Sequence, residues 1–145
     1  MSALPRLDEL VPHAPPMLLL DELLEAGPGF ARCAVRLRED SPFVENGRVR
    51  ALWALEYMGQ AAAALAGLEA RAKGSRPRNG FLLGTRELTL AVPSFEVGDE
   101  LLVEVVEEYR DDRLSSFRGR VRRAGETVAE AVLNVRLSPP ESSPP

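Results

Sequence analysis

The chain is poor in the residues that carry most enzyme chemistry. Its 145 residues include one cysteine, Cys33, and one histidine, His13. A single cysteine excludes an intramolecular disulfide. One histidine and one cysteine are too few for the usual nitrogen-and-sulfur metal sites, so no metal is expected. No Gly-rich phosphate loop and no nucleophile-elbow pattern occurs. There is no excess of positive charge either. Eighteen Lys and Arg against 22 Asp and Glu give a net charge of −4, which argues against nucleic acid as a partner. The opening MSALPRLDELVP has no basic stretch leading into an apolar run, so no secretory leader is expected and the cytoplasm is the default location. Cys33 lies among Phe30, Ala31, Ala34 and Val35, the setting of a small strand residue rather than a nucleophile.

What the chain does have is a long apolar stretch, ALWALEYMGQAAAALAGL, over residues 51–68. It predicts one helix, apolar on nearly every face, running to about Lys73 and stopped by Gly74. Its only charge is Glu56. A helix without a polar face belongs inside a domain, and a carboxylate there is costly unless something pairs or uses it. The stretch is about as long as a membrane span, but it is alanine-rich and carries both Glu56 and Gln60. No membrane span is expected.

The remaining segments read mostly as strands. Residues 7–10 could form one helical turn in a proline-punctuated start. Residues 17–24, MLLLDELL, predict a strand. Residues 30–37 alternate, with Ala31, Cys33, Val35 and Leu37 on one face, and predict a hairpin partner for it. Residues 40–50 read as loop. After the helix, strands are expected over 81–92, 100–109, 114–123 and 126–137, joined by short turns as an antiparallel meander. Residues 138–145, SPPESSPP, read as a disordered tail, leaving one domain over 1–137. A flat sheet on one side would leave much of the helix bare. A curved antiparallel sheet wrapped round it, with a second subunit, covers it better, and an α+β class follows.

Three features could carry chemistry. His13 sits in an irregular segment between Pro12 and Pro15, where a loop can hold a general base over a pocket. Glu56 has Gln60 one turn on and on the same face, with Gly59 between them where a ligand could approach closely. The alternative for Glu56 is a structural pair with Arg50 or Arg86. The helix N-terminus, at Ala51, Leu52 and Trp53, offers backbone N–H groups that could polarise a carbonyl. Together they suit proton abstraction next to a carbonyl. Arg71, Lys73, Arg76 and Arg78 gather at the other end of the helix, either as a solvated terminus or as a dock for an acidic partner.

Three stretches resemble a known family in order and spacing. They are Val11-Pro12-His13 leading into Pro16-Met17-Leu18-Leu19-Leu20-Asp21; Leu55-Glu56-Tyr57-Met58-Gly59-Gln60-Ala61-Ala62; and Gly84-Thr85 through Val92-Pro93 to Gly98-Asp99-Glu100-Leu101. The chain resembles the hotdog-fold 3-hydroxyacyl-[acyl-carrier-protein] dehydratases, the FabZ/FabA group, and looks closest to their ApeP-like branch, associated with aryl polyene clusters. The resemblance implies a hotdog fold, a dimer or higher assembly, an acyl carrier protein as partner and no cofactor beyond the substrate's own phosphopantetheine. It implies dehydration to a trans-2-enoyl thioester, with Glu56 in the place of the helix carboxylate. The chain departs from the group at the base. The group's histidine lies in a G-H-F-P loop before the helix, whereas the corresponding residues 41–50 hold no histidine. His13 is therefore expected to supply the base from a different segment. A hotdog thioesterase, with Glu56 activating water, and a non-catalytic subunit of a dehydratase heterodimer are the alternatives.

Overall fold

A computed structural model of the chain describes residues 4–12, 16–74 and 80–137. Eight strands and two α-helices follow in order: α1 (Leu7–Leu10), β1 (Glu22–Gly27), β2 (Phe30–Arg36), β3 (Arg48–Arg50), α2 (Ala54–Ala72), β4 (Gly80–Leu90), β5 (Ser94–Glu96), β6 (Glu100–Arg110), β7 (Leu114–Arg123) and β8 (Glu126–Leu137). Six strands make one antiparallel sheet in the order β1-β2-β6-β7-β8-β4, and β3 pairs with β5 in a small second sheet. This is the expected hotdog arrangement, a sheet curled round one long helix.

The core lies between α2 and the inner face of the sheet. Ala31, Cys33 and Val35 of β2, Val103 and Val105 of β6, and Ala131 and Leu133 of β8 are buried, as are Ala54, Met58, Ala61 and Leu65 of α2. The alternation expected for residues 30–37 thus holds. Alanines along α2 let the curled sheet come close. Gly119 of β7 does the same, since a β-carbon there would meet the Met58 sulfur at 2.6 Å. The helix stops at Gly74, whose φ of +70° is the left-handed cap that glycine takes without a steric cost.

Four expectations need correction. First, α2 opens with a 3₁₀ turn over Ala51–Trp53 and becomes α-helical only at Ala54. Second, residues 17–21 are not strand: β1 starts at Glu22. The reason is a competing partner. The backbone of Met17 and Leu19 bonds to the Gln60 side chain instead of a neighbouring strand. Third, the segment read as loop over 40–50 contains β3. Fourth, only β6, β7 and β8 form a meander. β4 pairs with β8 and lies at the far edge, because β5 pairs with β3 on the way to β6 and β2 fills the free side of β6.

Candidate active site on the central helix

Glu56 lies in the first turn of α2. It is half-buried rather than buried, because the sheet covers the opposite face of the helix. Gln60, one turn on, is fully buried, with both amide hydrogens and its carbonyl oxygen hydrogen-bonded. Its carbonyl oxygen accepts the Leu19 N–H at 2.8 Å. Its amide donates to the Met17 carbonyl at 2.8 Å and to Glu56 Oε1 at 3.1 Å. One side chain therefore ties the 17–19 strap to the helix and holds the carboxylate at the same point. Both amide hydrogens are committed, so none is left for a ligand. The i, i+4 spacing of Glu56 and Gln60 signals the bond between them in the sequence, whereas nothing local signals the bonds from Gln60 to the strap, 41 and 43 residues away.

Gly59 faces open space, with nothing within 4 Å of a β-carbon built on it. It shares the uncovered side of the helix with Glu56. At the helix start, Ala51 is buried and its N–H is already given to the Pro93 carbonyl at 3.1 Å. Leu52 points to solvent, and Trp53 is the residue before the first α-helical position. Trp53 stacks on Phe43, with ring centroids 3.6 Å apart and an interplanar angle of 15°. Phe43 was not singled out from the sequence.

On the other side of the helix, Tyr57 is buried against Phe95, at a centroid distance of 6.3 Å. Burial first, then the negative charge of Asp21, pushes its hydroxyl up to about 12, so it stays protonated at neutral pH. Asp21 itself accepts the Arg36 N–H at 2.6 Å.

The expected basic dock is only partly placed. Arg71 pairs with Glu9 at 3.2 Å, tying α1 to α2, and Lys73 is exposed at the helix end. Arg76 and Arg78 lie outside the described residues, as does His13. Among the described residues, no group of His, Cys, Asp and Glu is placed to hold a metal, and no helix is long and apolar enough to cross a membrane.

A curled antiparallel sheet round one helix, with a carboxylate on the helix's open face, defines the chain as a hotdog-fold protein. Its sequence matches the ApeP-like family, described as ApeP dehydratase, over residues 5–143, and the chain belongs to that family. No curated protein matches it. Its fold is similar to the dehydratase heterocomplex ApeI:P from Xenorhabdus doucetiae, at 26% identity and a TM-score of 0.90, covering 94% of this chain and 93% of that one. Two further structures share the fold. A hypothetical thioesterase with coenzyme A from Streptococcus pneumoniae has 11% identity and a TM-score of 0.63, covering 83% and 88% of the two chains. The phenylacetic acid degradation protein PaaI from Thermus thermophilus has 20% identity and a TM-score of 0.59, covering 79% and 90%.

Proposed function

We propose that this dehydratase-family chain removes water from 3-hydroxyacyl thioesters carried on an acyl carrier protein, giving trans-2-enoyl thioesters. The observation that carries the reading is the Gln60 clamp, which joins the Glu56 carboxylate to the strap that follows His13. His13 stands four residues before Met17, a tether of at most about 14 Å. In this mechanism His13 takes a proton from C2. The electron pair forms the C2=C3 bond, and the C3 hydroxyl leaves as water with a proton from Glu56. Charge that develops on the thioester oxygen meets the Leu52 and Trp53 amides, which precede the first α-helical turn. The chain's own groups supply every proton; the phosphopantetheine arm belongs to the substrate.

The β4 edge offers a place for a second hotdog subunit. β4 is an edge strand, and its Leu82, Leu83, Leu88 and Leu90 are exposed. Leu82 stands opposite Val135 and Leu90 opposite buried Ala129, so these two leucines share the sheet's inner face with the core. An exposed edge strand presents unpaired N–H and C=O groups with which another chain can pair. The heterocomplex named above favours a related hotdog dehydratase as that partner, with a second copy of this chain as the alternative.

The test follows formation of the enoyl thioester by its absorbance, using the chain alone and in any complex it purifies in. His13→Ala and Glu56→Ala are expected to lose at least about 100-fold in kcat. Turnover unchanged in either variant removes that residue from the mechanism. Thiol release from a thioester lacking a 3-hydroxyl, without enoyl formation, replaces the reading with a thioesterase.

A further inference from the structure

Residues 41–47 leave one feature that the mechanism does not use. Phe43 has a φ of +67°, in the left-handed region that a bulky side chain rarely enters. Such conformations persist only where the surroundings over-determine them, and they gather at functional sites. Here the surroundings are specific. Arg38 N–H bonds to Ser41 Oγ and Ser41 N–H returns to the Arg38 carbonyl, which fixes the loop's entry. Glu45 and Arg48 exchange both backbone bonds, and Val97 N–H holds the Gly47 carbonyl, which fixes its exit. Between these anchors the backbone turns the Phe43 ring flat onto Trp53.

The stack sits at the rim of the core: Trp53 is half-buried and packs against the core from the inside, and Phe43 covers it from the outside. Phe43 is 37% exposed and neighbouring Leu52 56% exposed. Trp53 lies three residues before Glu56, and i, i+3 neighbours on a helix have their β-carbons about 5–6 Å apart. The strained loop therefore places an aromatic wall one turn from the carboxylate, on a side of the helix that is open at Gly59. One part of the Phe43 ring is left open to solvent beside this wall, in a backbone conformation that costs a bulky residue energy.

We propose that Phe43, backed by Trp53, is a specificity-determining residue that limits the acyl chain entering beside Glu56. The inference rests on the dehydratase reading for the identity of the chain it meets. Its occupant is the apolar acyl portion of the thioester, which such a wall meets without leaving a polar group unpaired.

Phe43→Gly removes the ring and suits the positive φ, so the loop keeps its shape; Phe43→Leu keeps apolar bulk at the same place. With the 3-hydroxybutanoyl and 3-hydroxydodecanoyl thioesters of pantetheine, Phe43→Gly is expected to raise the long-to-short ratio of kcat/KM about tenfold, while Phe43→Leu stays near wild type. An unchanged ratio in Phe43→Gly overturns the inference. Trp53 is the only tryptophan, so its fluorescence reports binding without turnover. If the wild type dehydrates nothing, titration with butanoyl and dodecanoyl pantetheine decides. A shifted ratio of Kd in Phe43→Gly upholds the wall although the reaction is wrong, and an unshifted ratio overturns it.

Discussion

Gln60 donates to the Glu56 carboxylate while its carbonyl takes the amide of Leu19, so the residue one turn from the proposed acid is also the anchor of a distant strap. The two roles cannot be separated by a substitution that removes the amide. Loss of the strap contacts would free the Met17–Leu19 backbone; loss of the bond to Glu56 would remove one of the carboxylate's partners.

Gln60→Met keeps much of the volume and none of the hydrogen bonds. It leaves the Met17 carbonyl and the Leu19 N–H without their partner, and each such group costs about 1–3 kcal/mol when it stays buried. We expect urea unfolding to show a loss of about 2 kcal/mol or more, with kcat falling further than KM rises. A variant as stable as wild type would mean that the strap finds other partners.

Gly59 and Gly67 lie on the same helix and should respond in opposite ways to alanine. At Gly67 a β-carbon would collide with the Leu10 carbonyl, which is backbone and cannot swing aside. Gly67→Ala should displace α1 and lower the thermal midpoint. At Gly59 nothing is met, so Gly59→Ala should gain about 0.5–1 kcal/mol from helix propensity alone. The same methyl projects onto the open side beside Glu56, and kcat/KM should fall as stability rises. A gain in both would show that substrate does not pass there.

Much of this fold could be read from residue pattern, and the exceptions share a cause. The alternation over residues 30–37, the stop at Gly74 and the Glu56/Gln60 spacing all report local periodicity, which a sequence displays directly. The run 17–24 has the same apolar character whether its backbone bonds to a strand or to a glutamine 41 residues away, so Leu19 read as strand. The position of β4 beside β8 is set by which edges β2 and β5 occupy, and no single segment encodes that. Phe43 carries no local signal for a positive φ; its conformation comes from the anchors on either side and from Trp53.

Cys33 gives a pH-dependent prediction. Burial pushes its thiol up from 9.0 to about 12. The folded state therefore holds the proton through a range in which the unfolded chain releases it. The stability this contributes is fully present below pH 9 and is lost as pH rises towards 12, at up to about 1.4 kcal/mol per pH unit. Tyr57 acts in the same direction between 10 and about 12. Alkaline unfolding should thus begin above pH 9 and be delayed in Cys33→Ala by the share that Cys33 contributes. In the native protein at pH 8, iodoacetamide should label Cys33 far more slowly than in urea; equal rates would contradict its burial.

The outer face of the sheet is held by charge. Glu104 of β6 lies between Arg32 of β2 and Arg122 of β7, each at 3.3 Å, and its side chain is only 14% exposed. Its Oε1 meets Arg122 as an ion pair without the alignment of a hydrogen bond. Glu104→Ala leaves two arginines facing each other across the place of the lost carboxylate. It should cost about 1–3 kcal/mol, and added salt should narrow the gap to wild type because the exposed guanidinium groups are screened. A salt-independent loss would assign the effect to packing instead.

The apolar edge at β4 makes the last prediction. Leu82→Asp places a charge on the inner face of the edge strand, at a position already 47% exposed in the single chain. Folding of the subunit should suffer less than association, because at 47% exposure the new carboxylate can still reach water in the single chain. Association should suffer, since a charge desolvated in an apolar interface has no partner. Sedimentation velocity on wild type and variant separates the two effects. A wild-type dimer or heterodimer that dissociates on Leu82→Asp, with unchanged circular dichroism, locates the partner at β4. If the assembly persists unchanged, the second subunit sits elsewhere, and the open face of α2 at Glu56 and Gly59 must be covered by another route.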